Sequence, residues 1–240
     1  MSHCISGEHA RRRKCESVGV ITNLTMFKRR PGLSVDAFRS YWQSTHRDLA
    51  LQLPGLRHYV QHPTDDSGYR RHEPVYDGVA ETTWNDLDDL RQLRGSAEIS
   101  NVLADEPNLM DMARRDEIVT DDDVVVDGQP TTDALTMLVF VKRRADLSPE
   151  SFHAYWRDVH GPLGAQVPGV RRYVQHHAIA NLYRDGRDPV YDGVAQTWFD
   201  DLEAMRAAAG TEQLAATLDD GPNFITVPSP FVVCTSVVMR

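Results

Sequence analysis

One passage of this chain is written twice, and that repeat constrains the fold more than any other feature. Lys28-Arg29-Arg30, Leu33-Ser34, Phe38, Tyr41-Trp42, His46, Pro54-Gly55 and Tyr59-Val60-Gln61-His62 return as Lys142-Arg143-Arg144, Leu147-Ser148, Phe152, Tyr155-Trp156, His160, Pro168-Gly169 and Tyr173-Val174-Gln175-His176. The offset is 114 residues throughout this passage and 115 from Tyr76 to Tyr191, so the second copy carries one inserted residue in the intervening polar loop. A period this long lies beyond the roughly 20–50 residues of solenoid repeats. It predicts a tandem of two domains: a tail over residues 1–17, one repeat over 18–127, a linker over 128–134 and a second repeat over 135–240.

Each copy shows the same order of elements. Residues 21–29 and 135–143 are apolar and β-branched and read as strands. A helix comes next: Ser148 suits the N-cap, Pro149 the first helical position and Glu150 the first turn, with Ser34 and Asp36 in equivalent places. Phe152, Tyr155, Trp156, Val159 and Leu163 form one apolar helical face, matched by Phe38, Tyr41, Trp42, Thr45 and Leu49. Pro-Gly pairs end the helices, and second strands are expected over 56–62 and 170–176, third strands over 75–84 and 190–199. A second helix opens near Asp86 and Asp201, and a fourth strand closes each copy, over 117–126 and 231–239.

This βαββαβ order is the ferredoxin-like arrangement of the α+β class, an antiparallel sheet with both helices on one face. The other face must be buried. The expectation is that the bare faces of the two copies pack together and enclose a barrel-like cavity. Alternation along the second strand then sends Tyr59, Gln61, Tyr173 and Gln175 into that cavity, and Val60, Val174, His62 and His176 to the helix-covered side.

The net charge of −9 disfavours nucleic acid or an anionic membrane as the main partner. No run of about 18 apolar residues predicts a membrane span. Arg11-Arg12-Arg13-Lys14 has no apolar segment after it, so no secretory signal is expected. Three cysteines, Cys4, Cys15 and Cys234, fit a reducing cytoplasm. His3, Cys4, His9 and Cys15 lack the spacing of a metal site, and no metal is expected.

Tyr155-Trp156-Arg157-Asp158-Val159-His160-Gly161-Pro162-Leu163, then Pro168-Gly169-Val170, Tyr173, Pro189-Val190-Tyr191-Asp192-Gly193-Val194-Ala195 and Pro222-Asn223-Phe224, resemble the EthD family of the dimeric α/β-barrel superfamily. The resemblance covers both copies. It implies an intramolecular version of the dimeric barrel and acid–base chemistry without metal or organic cofactor, as in a methylmuconolactone isomerase and in dehydratases, decarboxylases and cyclases of polyketide pathways. It further implies roles for the motif histidines, here His46 and His160, for the tyrosines Tyr59 and Tyr173, and for a loop histidine matched by His72, where the second copy has Arg187-Asp188.

The residues themselves suit such work. Histidine moves protons near neutral pH, and a tyrosine phenol can donate to a carbonyl or enolate oxygen. Trp42, Trp156, Gln61, Gln175, Asn23 and Thr25 are candidates to contact substrate, and Asp77 and Asp192 to orient a catalytic side chain. Asn23 and Thr25 align with Met137 and Val139, which predicts a more polar pocket in the first copy and tilts the expected chemistry towards it. Three functions stay open: an isomerase, cyclase, dehydratase or decarboxylase acting on a small oxygenated aromatic or polyketide-like compound; a non-catalytic carrier of such a molecule; and a haem-linked protein of the same fold. A homodimer of the pseudodimeric chain is compatible with each.

Overall fold

The computed structural model describes residues 20–240, so the tail over 1–17 and the candidate ligands His3, Cys4, His9 and Cys15 lie outside the described residues. The first repeat runs β1 (Ile21–Arg29), α1 (Val35–Tyr41), α2 (Arg47–Ala50), β2 (His58–Pro63), β3 (Gly78–Trp84), α3 (Leu87–Leu93), α4 (Ala97–Leu109) and β4 (Met110–Val126). The second runs β5 (Leu135–Val141), α5 (Pro149–Tyr155), α6 (Gly161–Gly164), β6 (Arg172–Ala178), β7 (Gly193–Phe199), α7 (Leu202–Ala208), α8 (Glu212–Asp220), β8 (Phe231–Thr235) and β9 (Val237–Val238). Side-chain caps start the helices where the sequence offers them: Ser34 accepts from the Ala37 amide, Ser148 from Ser151, Asp86 from Asp88 and Asp89, and Asp201 from Ala204. The region after Asp86 forms two helices rather than one, because Gly95 takes a left-handed φ of 87° and Ser96 caps a fresh start.

The described strands form one antiparallel nine-stranded sheet in the order β8-β5-β7-β6-β4-β1-β3-β2-β9. Its two outermost members, β8 and β9, are consecutive in the chain, so the sheet closes on itself as a barrel. The long β4 explains how the halves join. It pairs with β1 of its own repeat and, further along, with β6 of the other. The last strands mirror this: β8 pairs with its own β5, and β9 with β2 of the first repeat.

The barrel interior is solid, which corrects the expected cavity between the sheets. Leu24, Met26, Val79, Ile118, Leu138, Phe140, Val194, Val232 and Cys234 meet there, several of them with no exposed surface. Side chains this large from facing strands leave no room for a ligand. Alternation correctly groups the residues of β2 and β6, but the covered face is the opposite one. Tyr59 and Gln61 lie under the helices against Trp42, and Tyr173 and Gln175 under Trp156. His62 and His176 lie on the side facing the other repeat.

There they belong to a buried polar chain that crosses between the repeats. Asp122 accepts from Thr22 at 2.5 Å and bonds His176 Nδ1 at 2.7 Å; His176 Nε2 meets Gln196 at 2.5 Å. Gln196 donates to Glu81 at 3.1 Å, Glu81 bonds His62 Nε2 at 2.9 Å, and His62 Nδ1 meets Ser236 at 2.7 Å. Burial opposes a charge on His176, but Asp122, Glu81 and the Gln196 oxygen prevail and hold its imidazole up to about 9. No helix among the described residues is long and apolar enough to cross a membrane.

Candidate functional site

Each repeat carries its pocket between the outer face of its sheet and its own helices. The helix after β1 bends in a distinctive way. It passes from α1 through a π-helical turn, Trp42–His46, into α2, and its counterpart does the same at Trp156–His160. The wider turn admits one extra residue and rotates the side chains after it about the helix axis. Val159 and Thr45, expected on the apolar face, are therefore exposed, while His46 is buried and His160 nearly so. The indoles at the start of the turn lie flat against glycine: a Cβ on Gly78 would come within 2.6 Å of the Trp42 ring, and Gly193 makes the same allowance for Trp156.

The turn brings the motif histidine to a carboxylate that is not among the sequence candidates. His46 Nδ1 bonds Asp105 Oδ2 at 2.9 Å, and His160 Nδ1 bonds Asp220 Oδ2 at 2.9 Å. The other oxygen of each carboxylate accepts from a tyrosine and an asparagine: Tyr41 at 2.5 Å and Asn108 at 3.1 Å in the first repeat, Tyr155 at 2.7 Å and Asn223 at 3.0 Å in the second. Burial works against charge on Asp105 and Asp220, yet these donors hold both carboxyls below their usual range. An ionised carboxylate only accepts, so it fixes the proton of the neutral imidazole on Nδ1 and leaves Nε2 as the basic nitrogen. Neither Nε2 has a hydrogen-bond partner among the described residues, and both histidines line their pockets. Burial pushes the His160 pKa down, partly offset by Asp220, which keeps that ring neutral and basic at pH 7.

The sequence does hold a signal for these carboxylates. Asp105-Glu106-Pro107-Asn108 returns as Asp220-Gly221-Pro222-Asn223 at the second repeat's offset of 115. Of these residues only Pro222-Asn223 belong to the motif on which the family resemblance rests.

Tyr59 and Tyr173 complete each pocket. The Tyr59 oxygen accepts from Trp42 Nε1 at 3.1 Å and from Gln61 Nε2 at 2.9 Å; the Tyr173 oxygen accepts from Gln175 at 3.0 Å. Burial pushes both phenols up to about 12, against the pull of those donors, so both keep their proton at neutral pH. Each phenol proton has no acceptor among the described residues and is available to a ligand oxygen. Gln61, Gln175 and Trp42 thus stand behind the tyrosines, whereas Trp156 is itself part of the pocket wall.

The walls differ. The first-repeat pocket, about 380 Å³, includes Asn23, Thr25, Glu106, Arg115 and Glu117. The second-repeat pocket, about 470 Å³, has Met137, Val139, Gly221, Ser229 and Phe231 at the equivalent places and no Lys, Arg, Asp or Glu in its lining. Arg115 lies 3.2 Å from Glu106 and donates to Glu117 at 3.0 Å; burial nevertheless raises the Glu106 pKa. The Asn23 side-chain oxygen Oδ1 is buried without a hydrogen-bond partner among the described residues.

Three candidate residues lie elsewhere. Asp77 and Asp192 are fully buried beside the strand ends, where they bind Lys28 and Arg29, or Lys142 and Arg143, and accept from Tyr69 and Tyr183. They anchor the loop after β2 and β6 to the first strand of each repeat. His72 is exposed on that loop, outside the first-repeat pocket, with Nδ1 near the Glu73 carbonyl at 3.1 Å.

Comparison with solved structures finds this architecture in proteins of very different sequence. An anthrone oxidase-like protein aligns with a TM-score of 0.61 at 13% identity, over 93% of this chain and 94% of that one. A mutant chlorite dismutase from Candidatus Nitrospira defluvii aligns with a TM-score of 0.54 at 13% identity, over 90% and 91%. At such identities the likeness is one of fold. No curated protein matches the chain in sequence. The EthD domain model matches it twice, over residues 30–113 and 144–228, taking in both π-helical turns, both motif histidines and both Asp-x-Pro-Asn segments. The chain is therefore a member of the EthD family, with two EthD domains in tandem.

Proposed function

We propose that this protein is an acid–base enzyme that moves a proton on a small oxygenated compound held under the helices. The observation that supports it most is the repeated carboxylate-pinned histidine, Asp105–His46 and Asp220–His160, with Nε2 free in the pocket wall. Nε2 takes a proton from an acidic C–H or phenol; the nearby Tyr59 or Tyr173 phenol donates to the oxygen on which charge develops. His46 or His160 then returns the proton at a new position or to a leaving oxygen. That sequence serves isomerisation, cyclisation or dehydration; in a decarboxylation the carbanion forms as CO2 leaves, the tyrosine steadies the oxyanion, and a protonated histidine supplies the proton to carbon. The polar wall of Asn23, Thr25, Glu106 and Arg115 favours the first repeat as the place where a polyoxygenated substrate reacts.

Anthrone, whose methylene is acidic because the two flanking rings conjugate it with the carbonyl across the central ring, is a suitable probe. Deuterium exchange at that methylene, followed by NMR in D2O, should be accelerated by the wild-type protein and not by the His46→Ala, His160→Ala double variant. Equal exchange by wild type and a folded double variant would discard the reading in favour of a carrier.

The haem-linked reading rests on one observation. His160, with Asp220 on Nδ1, has the arrangement of a ligating histidine oriented by a carboxylate, in an apolar pocket. A haem there would supply redox chemistry at its iron. A Soret band in the purified protein that disappears in His160→Ala would select it.

A further inference from the structure

A third cavity, about 560 Å³, lies where the two repeats meet, between the loop after β2 and the segment leading into β8. Arg70, Arg71 and His72 enter it from the first repeat and Arg206 from α7 of the second. None of the three arginines has an ion-pair partner among the described residues, although the chain as a whole is acidic at −9. The acidic groups nearest Arg70 and Arg71 in sequence are engaged elsewhere: Asp66 with Arg39, Glu73 with Lys28 and Arg29, and Asp65 on the Ser67 amide. The lining itself contains no Asp or Glu. Three guanidinium groups in one acid-free cleft attract an oxyanion, and arginine suits one by its paired donors.

This cleft shares a wall with the second-repeat pocket. Ser229 and Phe231 line both. On one side of that wall the surroundings are apolar and uncharged; on the other they are cationic. The first repeat has no equivalent. Its residues in place of Ser229 and Phe231 are Arg115 and Glu117, which pair with one another, and the counterpart of Arg206 is Arg91, which pairs with Asp88.

We infer that the second-repeat pocket and the adjoining cleft together bind an amphipathic anion, an apolar body with a terminal carboxylate or phosphate. The body lies under α5 and α8 among Met137, Val139, Leu214 and Phe224, and the oxyanion crosses the Phe231–Ser229 wall to Arg70, Arg71 and Arg206. This goes beyond the proton-transfer reading and stands without it, because binding is measured with no turnover.

The test is calorimetric titration at low salt with a graded series of ω-phenylalkanoates, the matching ω-phenylalkyl phosphates, and the neutral primary amides. At the best chain length the anions should bind at least about tenfold tighter than the amide, the effect of one or two charge-assisted hydrogen bonds. The triple variant Arg70→Gln, Arg71→Gln, Arg206→Gln changes only exposed side chains and should erase that preference while leaving the amide unchanged. Met137→Trp, which fills the pocket, should weaken anion and amide alike. Comparison of the carboxylate and phosphate arms identifies the preferred oxyanion. Equal affinity of anion and amide, no binding by either, or a preference that survives the triple variant would each overturn the inference. A loss of proton-transfer activity in His46→Ala, whose side chain lines the other pocket, with these affinities intact separates it from the catalytic proposal.

Discussion

The two pockets share one array of bonded side chains and differ in their walls. Tyr41, Asp105, Asn108 and His46 in the first repeat stand in the same bonded array as Tyr155, Asp220, Asn223 and His160 in the second, with the tyrosine contacts close in length at 2.5 and 2.7 Å. Around that array, Asn23, Thr25, Glu106, Arg115 and Glu117 are replaced by Met137, Val139, Gly221, Ser229 and Phe231. On the proposed function, a tandem that keeps this array and changes the surroundings separates what is done to a ligand from which ligand is admitted. Covalent linkage makes this possible, since a homodimer must build both pockets from one sequence.

The largest effect should come from the shared array. Loss of a positioned acid–base group costs about a hundredfold to ten-thousandfold in rate. His46→Ala should produce that loss if the first repeat is the reacting half, with His160→Ala close to neutral; steady-state rates on the anthrone probe decide. The reverse pattern would move the chemistry to the apolar pocket.

Next in size is the polar chain that joins the halves. Asp122→Asn removes the charged partner of a buried imidazolium, and removal of one member of a buried pair costs about 3–5 kcal/mol. Urea unfolding should show it as one lowered transition if the barrel unfolds as a unit, or as two if the repeats come apart. Ser236→Ala, at the other end of the chain, deletes the hydroxyl's contacts with His62 and Thr136 and should cost about 1–2 kcal/mol.

Stability against pH is asymmetric between the repeats as well. His153 and His177 meet at 2.9 Å through their Nδ1 atoms, and the first repeat has Arg39 and Pro63 in their places. Burial lowers the pKa of His153 to about 4 and that of His177 to about 2. In the unfolded chain both take up protons near the ordinary histidine value of 6.5, so stability falls as pH drops below that value towards about 4. His176 runs the other way: with a folded pKa of about 9, its contribution is complete below 6.5 and is lost as pH rises to about 9. Chemical unfolding across pH should show both limbs. His177→Asn should flatten the acid one and His176→Gln the alkaline one.

The smallest effect tests the walls. Asn23→Met with Thr25→Val and Glu117→Phe brings three positions of the first pocket's lining to those of the second. The triple variant should bind neutral aromatic amides several-fold tighter in that pocket, by added apolar contact, while Tyr41→Phe alone should cost about 1 kcal/mol in stability. Calorimetry and thermal unfolding measure the two.

Much of this is legible in the chain. The duplication as a whole carries the two βαββαβ units, the caps at Ser34, Ser148, Asp86 and Asp201, and the paired motif histidines, because these depend on local spacing that one repeat confirms in the other. The contrast of Asn23 and Thr25 with Met137 and Val139 is also readable, since strand alignment needs only the offset. Asp105 and Asp220 are harder. They lie 59 and 60 residues from their histidines, and nothing local marks a carboxylate as a partner at that range.

Chain order and alternation settle which residues share a face; the packing of distant segments settles what each face meets. Period-two alternation puts Tyr59 with Gln61 and His62 with Val60, but it is indifferent to which side the helices cover. Closure of β8 and β9 onto β2, and of β4 onto β6, filled the barrel with large apolar side chains, sent the histidines of the second strands into a buried ionic chain, and left the pockets outside the barrel. His72, Asp77 and Asp192 obey the same rule: candidates for chemistry in the sequence, they stand outside the two histidine pockets, His72 on an exposed loop beside the cationic cleft and the aspartates as ion-pair anchors, through contacts that exist only once distant segments have met.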